Sequence, residues 1–182
     1  MHIIIRWVMK RSFELWGLVG FAVAAFFGTI LHFLYDWFGG ALWIAPFSGV
    51  NESTWEHMKL LFWPMLTYAL VQSLFLRDRQ DFWGIKLRGT LLGLMLIPVI
   101  FYTYNGVVGK SPDWVNIAIF FVSALAAYGY ETRLFKESKV ISKHPKLSLA
   151  SFFLIAGLFV IFTFKTPGLR IFQDPITGVF GI

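Results

Sequence analysis

The sequence predicts an all-α integral membrane helical bundle of about five transmembrane helices, and three observations predict it. Only 14% of the 182 residues are charged and 57% are hydrophobic, whereas a soluble domain carries roughly 25% charged residues to cover its surface. The apolar residues gather in five runs, 15–35, 60–76, 90–104, 114–130 and 147–164, and Lys and Arg gather in short clusters between them. The net charge of +6 is thereby split among membrane flanks; a nucleic-acid partner would need it on one solvated face, and none is expected. The absence of cysteine excludes disulfides, thiolate metal sites and a Cys nucleophile.

A helix crosses the ~30 Å hydrocarbon layer in about 20 residues. The first run, 15–35, has that length outright, and the others reach it with their flanks, giving spans at 54–76, 86–104, 113–131 and 147–164. Peptide groups left unpaired in lipid cost several kcal/mol, so each span is a helix. Ahead of the first, Ile3, Ile4, Trp7 and Val8 alternate with Arg6, Lys10 and Arg11, which suits either a short helix lying in the interface or a frayed start. Basic residues before an apolar run containing Ala22-Val23-Ala24 resemble a signal peptide, but the run continues to Tyr35, beyond the roughly 7–15 apolar residues of a signal core. It is read as a retained span. Pro98 in the third span kinks the helix without ending it.

The loop "DWFGGALWIAPFSGVNES", residues 36–53, has Trp37, Phe38, Trp43 and Phe47 and no Lys or Arg. Its glycines and Pro46 break any long helix and its aromatics favour the headgroup layer, so a re-entrant or interfacial segment is expected. The tail "KTPGLRIFQDPITGVFGI" should fold back over the same end. Counting basic residues sets the orientation. The N-terminal segment, the second loop and the fourth loop hold twelve Lys and Arg, whereas the opposite side holds three, Lys110, Lys165 and Arg170. The N-terminus is expected in the cytoplasm, the C-terminus outside, and the chain in the cell membrane as a multi-pass protein. With no repeat or long linker, residues 1–182 read as one bundle domain.

That topology sends most interior polar residues to one end. His32 and Asp36 close the first span, Asn51 to Lys59 open the second, Tyr102, Tyr104 and Asn105 close the third, and Asp113 and Asn116 open the fourth. Ionisable groups at membrane depth are costly and mark function, so an outward-facing polar pocket is expected. At 100° per residue Glu52, Glu56 and Lys59 share a helix face, while His57 lies about 140° from Glu52. Paired carboxylates need a lysine, a shared proton or a cation to neutralise them. Glu52, Glu56, His57 and Lys59 are therefore the candidate catalytic residues. Asn51, Ser53, Trp55, Tyr104 and Asn105 are candidates for substrate binding. His32 and Asp36 are candidate metal ligands with Glu52 and Glu56, for a divalent cation such as Zn or Mn. Structural readings stand beside these. Ser53-Thr54-Trp55-Glu56 fits a capping box, Lys59 can snorkel outward, and Glu131 can pair with Arg133 or a second-loop arginine.

The stretch "NESTWEHMKLLFWPM" and the ending "FQDPITGVFG" resemble an uncharacterised family of small polytopic bacterial membrane proteins, a domain of unknown function. In that family an Asn-Glu-Ser-x-Trp-Glu-His-x-Lys run opens a membrane helix. The resemblance covers nearly the whole chain, rests mainly on Asn51, Glu52, Ser53, Trp55, Glu56, His57 and Lys59, and implies no known activity. His32-x-x-x-Asp36 is similar to a fragment of the alkaline ceramidase and adiponectin-receptor hydrolases, which place Ser, His and Asp around an intramembrane zinc. Those proteins have seven spans and more histidine ligands than His32 and His57 alone.

Three functions fit the pattern: a membrane-embedded hydrolase or transferase acting on a lipid-like substrate at the outer leaflet; a non-catalytic subunit or assembly factor binding a partner or lipid headgroup; and a small cation or proton-coupled transporter. Membrane lipid is the expected partner, with a membrane protein or a second copy of the chain as further candidates.

Overall fold

The computed structural model describes residues 2–76, 79–137 and 144–182, with side chains from residue 12 onward. Ile3, Ile4, Trp7 and Val8 of the interface reading lie outside the described side chains, as do Arg6, Lys10, Arg11, Arg77, Lys139 and Lys143 of the basic clusters. Among the described residues five α-helices account for nearly all regular structure: α1 (His2–Trp37), α2 (Thr54–Phe75), α3 (Phe82–Val107), α4 (Asp113–Lys136) and α5 (Pro145–Phe164). A 3-10 turn at Arg170–Phe172 follows. All five helices are long and apolar enough to cross a membrane, and the chain is a multi-pass membrane protein.

Apolar length sets these elements and polar residues end them. In α1 one unbroken helix of 36 residues replaces the expected short interface helix plus span; at 1.5 Å per residue it is about 54 Å long, so it projects beyond a bilayer core. Its apolar stretch is Ser12–Trp37, and Gly39 and Gly40, both with positive φ, turn the chain away. The interior prolines Pro64 and Pro98 leave α2 and α3 continuous. Pro64 has no N–H for the Leu60 carbonyl, and Gly28 of α1 lies close enough that a Cβ there would press on that oxygen. The glycine lets a neighbouring backbone cover a carbonyl the proline has freed.

Successive helices run in opposite directions. α1, α2, α3 and α4 pack in a ring in which each touches its two neighbours, and α5 lies outside it against α3. The most buried helix is α2, whereas α1 and α5 expose most of their length. Leu61, Phe62, Met65 and Ala69 of α2 are wholly buried, and Phe62 stacks among Phe152 and Phe159 of α5. Such apolar contact does not by itself favour protein over lipid, so close approach and buried polar bonds must select the packing. Gly20 shows the first: a Cβ there would strike Tyr68 and Tyr128, whose rings meet edge to face.

Lys86 and Glu131 show the second. Both are buried, their ion pair closes at 2.5 Å, and the Lys86 ammonium lies 5.1 Å from the Tyr128 ring and 5.5 Å from the Tyr68 ring. Gly89 makes room for the Glu131 side chain. The expected pairing of Glu131 with an arginine is corrected here. Arg133 is one turn's fraction away on the outer face of α4 and takes Glu137 instead, while Lys86 faces inward from α3.

Candidate active site

Loop and tail build the polar end of the bundle around the start of α2. Residues 38–49 form successive turns that bury Ile44, Ala45 and Ser48 while exposing Leu42 and Trp43. The Ala45 carbonyl accepts from Lys59 Nζ at 2.7 Å and the Pro46 carbonyl from Trp63 Nε1 at 2.9 Å. Trp63 lies in the third turn of α2, so the loop packs down beside the opening turns of that helix. Ser48 Oγ ties the loop to α1 through the Leu31 carbonyl and the Tyr35 amide.

The tail closes over the other side. Phe172 is buried beside Trp55, at 4.7 Å between ring centres, and Thr54 Oγ1 donates to the Ile171 carbonyl. Asn51 Nδ2 donates to the Gly181 carbonyl, and the Glu52 amide donates to Asp174 Oδ2 at 3.3 Å. Burial raises the Asp174 pKa, but amides of Thr177, Ile176 and Glu52 aimed at its carboxylate outweigh that and hold it below the ordinary value.

These supports separate the carboxylates that the sequence places together. Glu56 turns inward, where it meets Lys59 at 2.6 Å and accepts from the Val50 amide at 3.1 Å. Lys59 also donates to Thr163 of α5 and is wholly buried, so it does not snorkel. The capping box is half realised: Ser53 Oγ accepts from the Glu56 amide at 3.4 Å, but the Ser53 amide goes to Asn51 Oδ1, and Glu56 reaches past it to Val50.

Glu52 turns the opposite way, to His32 and His57. Its Oε1 is 3.5 Å from His32 Nε2 and its Oε2 is 3.6 Å from His57 Nε2. The 140° separation expected between Glu52 and His57 holds only within a helix, and α2 starts at Thr54. Glu52 precedes the cap, so its side chain is free to fold over His57. The two imidazoles, on α1 and α2, lie 5.7 Å apart. His57 Nδ1 is 2.9 Å from the Ser53 carbonyl, which makes Nδ1 the protonated nitrogen and leaves the Nε2 lone pair facing Glu52. One donor atom from each of His32, Glu52 and His57 lies within 4.8 Å of the others. Asp36, expected in this group, is exposed at the end of α1, a full turn beyond His32.

His32, Glu52 and His57 line a cavity of about 270 Å³ together with Asn105, Lys110, Ser111, Asp113, Asn116 and the tail residues Pro175 and Ile176. Asn105 is braced by the Phe101 carbonyl and by Ser111, and Ser111 Oγ donates to Asn116 Oδ1. Of the residues expected to bind substrate, Asn105 alone lines this cavity. Asn51 and Ser53 are engaged in the turn before α2, Trp55 packs on the tail, and Tyr104 packs against the core. Ser111 and Asn116 join the cavity wall without being among the candidate binding residues; Asn116 is one of the polar residues opening the fourth span, and Ser111 precedes Pro112 just ahead of it.

A second cavity, about 240 Å³, adjoins the first. Gly28, Thr29, His32 and Phe33 of α1, Ile117, Phe120 and Phe121 of α4, and His57 and Leu60 of α2 line it. Apart from Thr29 and the two histidines, its walls are apolar. His32, His57 and Ile117 line both cavities, so the two histidines stand where the cavities meet.

No curated protein and no solved structure matches this chain. Residues 5–182 match the model of a family of unknown function, DUF6512, and with nearly its whole length matched the chain belongs to that family.

Proposed function

We propose that this chain is a membrane-embedded hydrolase, or a transferase of the same chemistry, whose substrate is a lipid-like amphiphile. The observation that supports it is the meeting of a polar and an apolar cavity at His32 and His57. An amphiphile has the same two-part character. Its headgroup suits Asn105, Asn116 and Lys110, its chain suits the cleft between α1 and α4, and the bond joining them then lies beside His32, Glu52 and His57. Those three groups activate water. The water oxygen bonds to the substrate carbonyl carbon, the ester or amide bond breaks, and the proton taken from water ends on the leaving oxygen or nitrogen. The excess of Lys and Arg at the other end supports the outer leaflet of the cell membrane as the side of this chemistry.

The transport reading is less well supported. Between the polar cavity and the Lys86–Glu131 pair the bundle is filled by Leu61, Met65, Leu94, Ala124 and Ala127, all buried.

The test is release of fatty acid or headgroup from a panel of ester- and amide-linked lipids by the purified protein in mixed micelles. His57→Ala and Glu52→Gln should each lower the rate about 10²–10⁴-fold, the range for loss of a general base, and Asp36→Asn should leave it nearly unchanged. Absence of turnover across the panel, or turnover indifferent to His57 and Glu52, would defeat the proposal.

A further inference from the structure

We infer that His32, Glu52 and His57, which line the polar cavity together, are the three protein ligands of one divalent cation, zinc by the hydrolytic chemistry it would serve. This deepens the hydrolase reading and rests on it for the role of the cation.

The separations argue for it. At 3.5 and 3.6 Å the two His–Glu52 contacts are longer than the about 2.7–3.2 Å of an N–H···O hydrogen bond. Two donors each about 2.0–2.1 Å from a tetrahedral zinc lie about 3.4 Å from one another. Here each imidazole meets a different Glu52 oxygen near that distance and one donor atom of each residue lies within 4.8 Å of the others, so small side-chain movements gather the three around a common centre. Two histidines with one glutamate are a catalytic zinc set that leaves a fourth place for water; the same donors also serve Fe(II), and the hydrolytic reading selects zinc, the redox-inert ion of the two.

Each ligand is also held from behind. The Ser53 carbonyl fixes the His57 tautomer so that Nε2 is the free donor atom, which is what a backbone acceptor does for a metal-bound imidazole. Asp174 holds the Glu52 backbone. The His32 ring rests edge-on against Phe33, 4.8 Å between centres. Three segments far apart in the chain, the end of α1, the turn before α2 and the tail, are thus fixed around one point. A cation there neutralises Glu52 and lowers the pKa of the water it binds.

The experiment is the zinc content of the purified, detergent-solubilised full chain after exposure to Zn²⁺ and removal of the excess, with fatty-acid release measured on the same samples. About one zinc per chain is expected in the unaltered protein. Glu52→Gln, His32→Gln and His57→Gln should lose it, and Asp36→Asn should keep it. Asp174→Asn, which leaves all three ligands in place, should weaken zinc affinity about 10–100-fold, as loss of an outer support does. A circular dichroism spectrum of each variant separates lost binding from lost folding. No zinc in a folded unaltered chain, or zinc retained in all three ligand variants, overturns the site. Hydrolysis without metal overturns the site and leaves the hydrolase reading standing; zinc bound without hydrolysis does the reverse.

Discussion

Glu52 and Glu56 are four residues apart and lead different lives, because one lies before the helix cap and the other inside the first turn. Glu56 and Lys59 form a buried pair whose remaining bonds reach Val50, Ala45 and Thr163. Desolvating two such charges is costly, and their geometry and extra hydrogen bonds offset the cost only while both are present. Lys59→Met should therefore destabilise the protein by about 3–5 kcal/mol, the usual result of leaving one buried charge without its partner. Adding Glu56→Gln to it should restore much of the loss, since no bare charge then remains. Thermal unfolding in detergent measures both. Equal stability of Lys59→Met and the unaltered chain would mean the pair does not clamp the loop to α2.

Among the elements, the tail depends on Asp174 and the docked Phe172. Because amide bonds hold the Asp174 pKa below its ordinary value of 3.8, the carboxylate contributes stability that is fully present above that value. As pH falls through the lower folded value the contribution is lost, and the tail should then loosen. Limited proteolysis of the tail between pH 5 and roughly pH 2 should show increased cleavage at the acid end. Asp174→Asn should be cleaved readily throughout and show less pH dependence. The helices themselves were legible in the sequence, because apolar length and closed backbone bonding leave little choice of structure in lipid. The convergence of His32 on the start of α2 was legible as well, from alternation of direction alone. The split between Glu52 and Glu56 was not, since helical angles cannot be applied to a residue outside the helix. Nor was the partner of Glu131: Lys86 sits in a basic cluster that reads as a membrane flank, and only the packing of α3 against α4 turns it inward.

In the whole molecule, the four-helix ring is filled at its middle and open at one end, where the tail, the α3–α4 loop and the ends of all four ring helices enclose the polar cavity. The apolar cavity lined by α1, α2 and α4 adjoins it, and its wall residues Phe33 and Ile117 are exposed on the bundle surface. This arrangement, more than any single residue, supports a substrate that is part polar and part lipid. The most direct test is photo-crosslinking in membranes with a lipid carrying its reactive group beside the headgroup ester, followed by mapping of the labelled peptides. Labelling concentrated at 28–33, 52–57 and 117–121, and displaced by excess unlabelled lipid, is the predicted result. Labelling spread over the outward faces of α1 and α5, with those segments untouched, would contradict it.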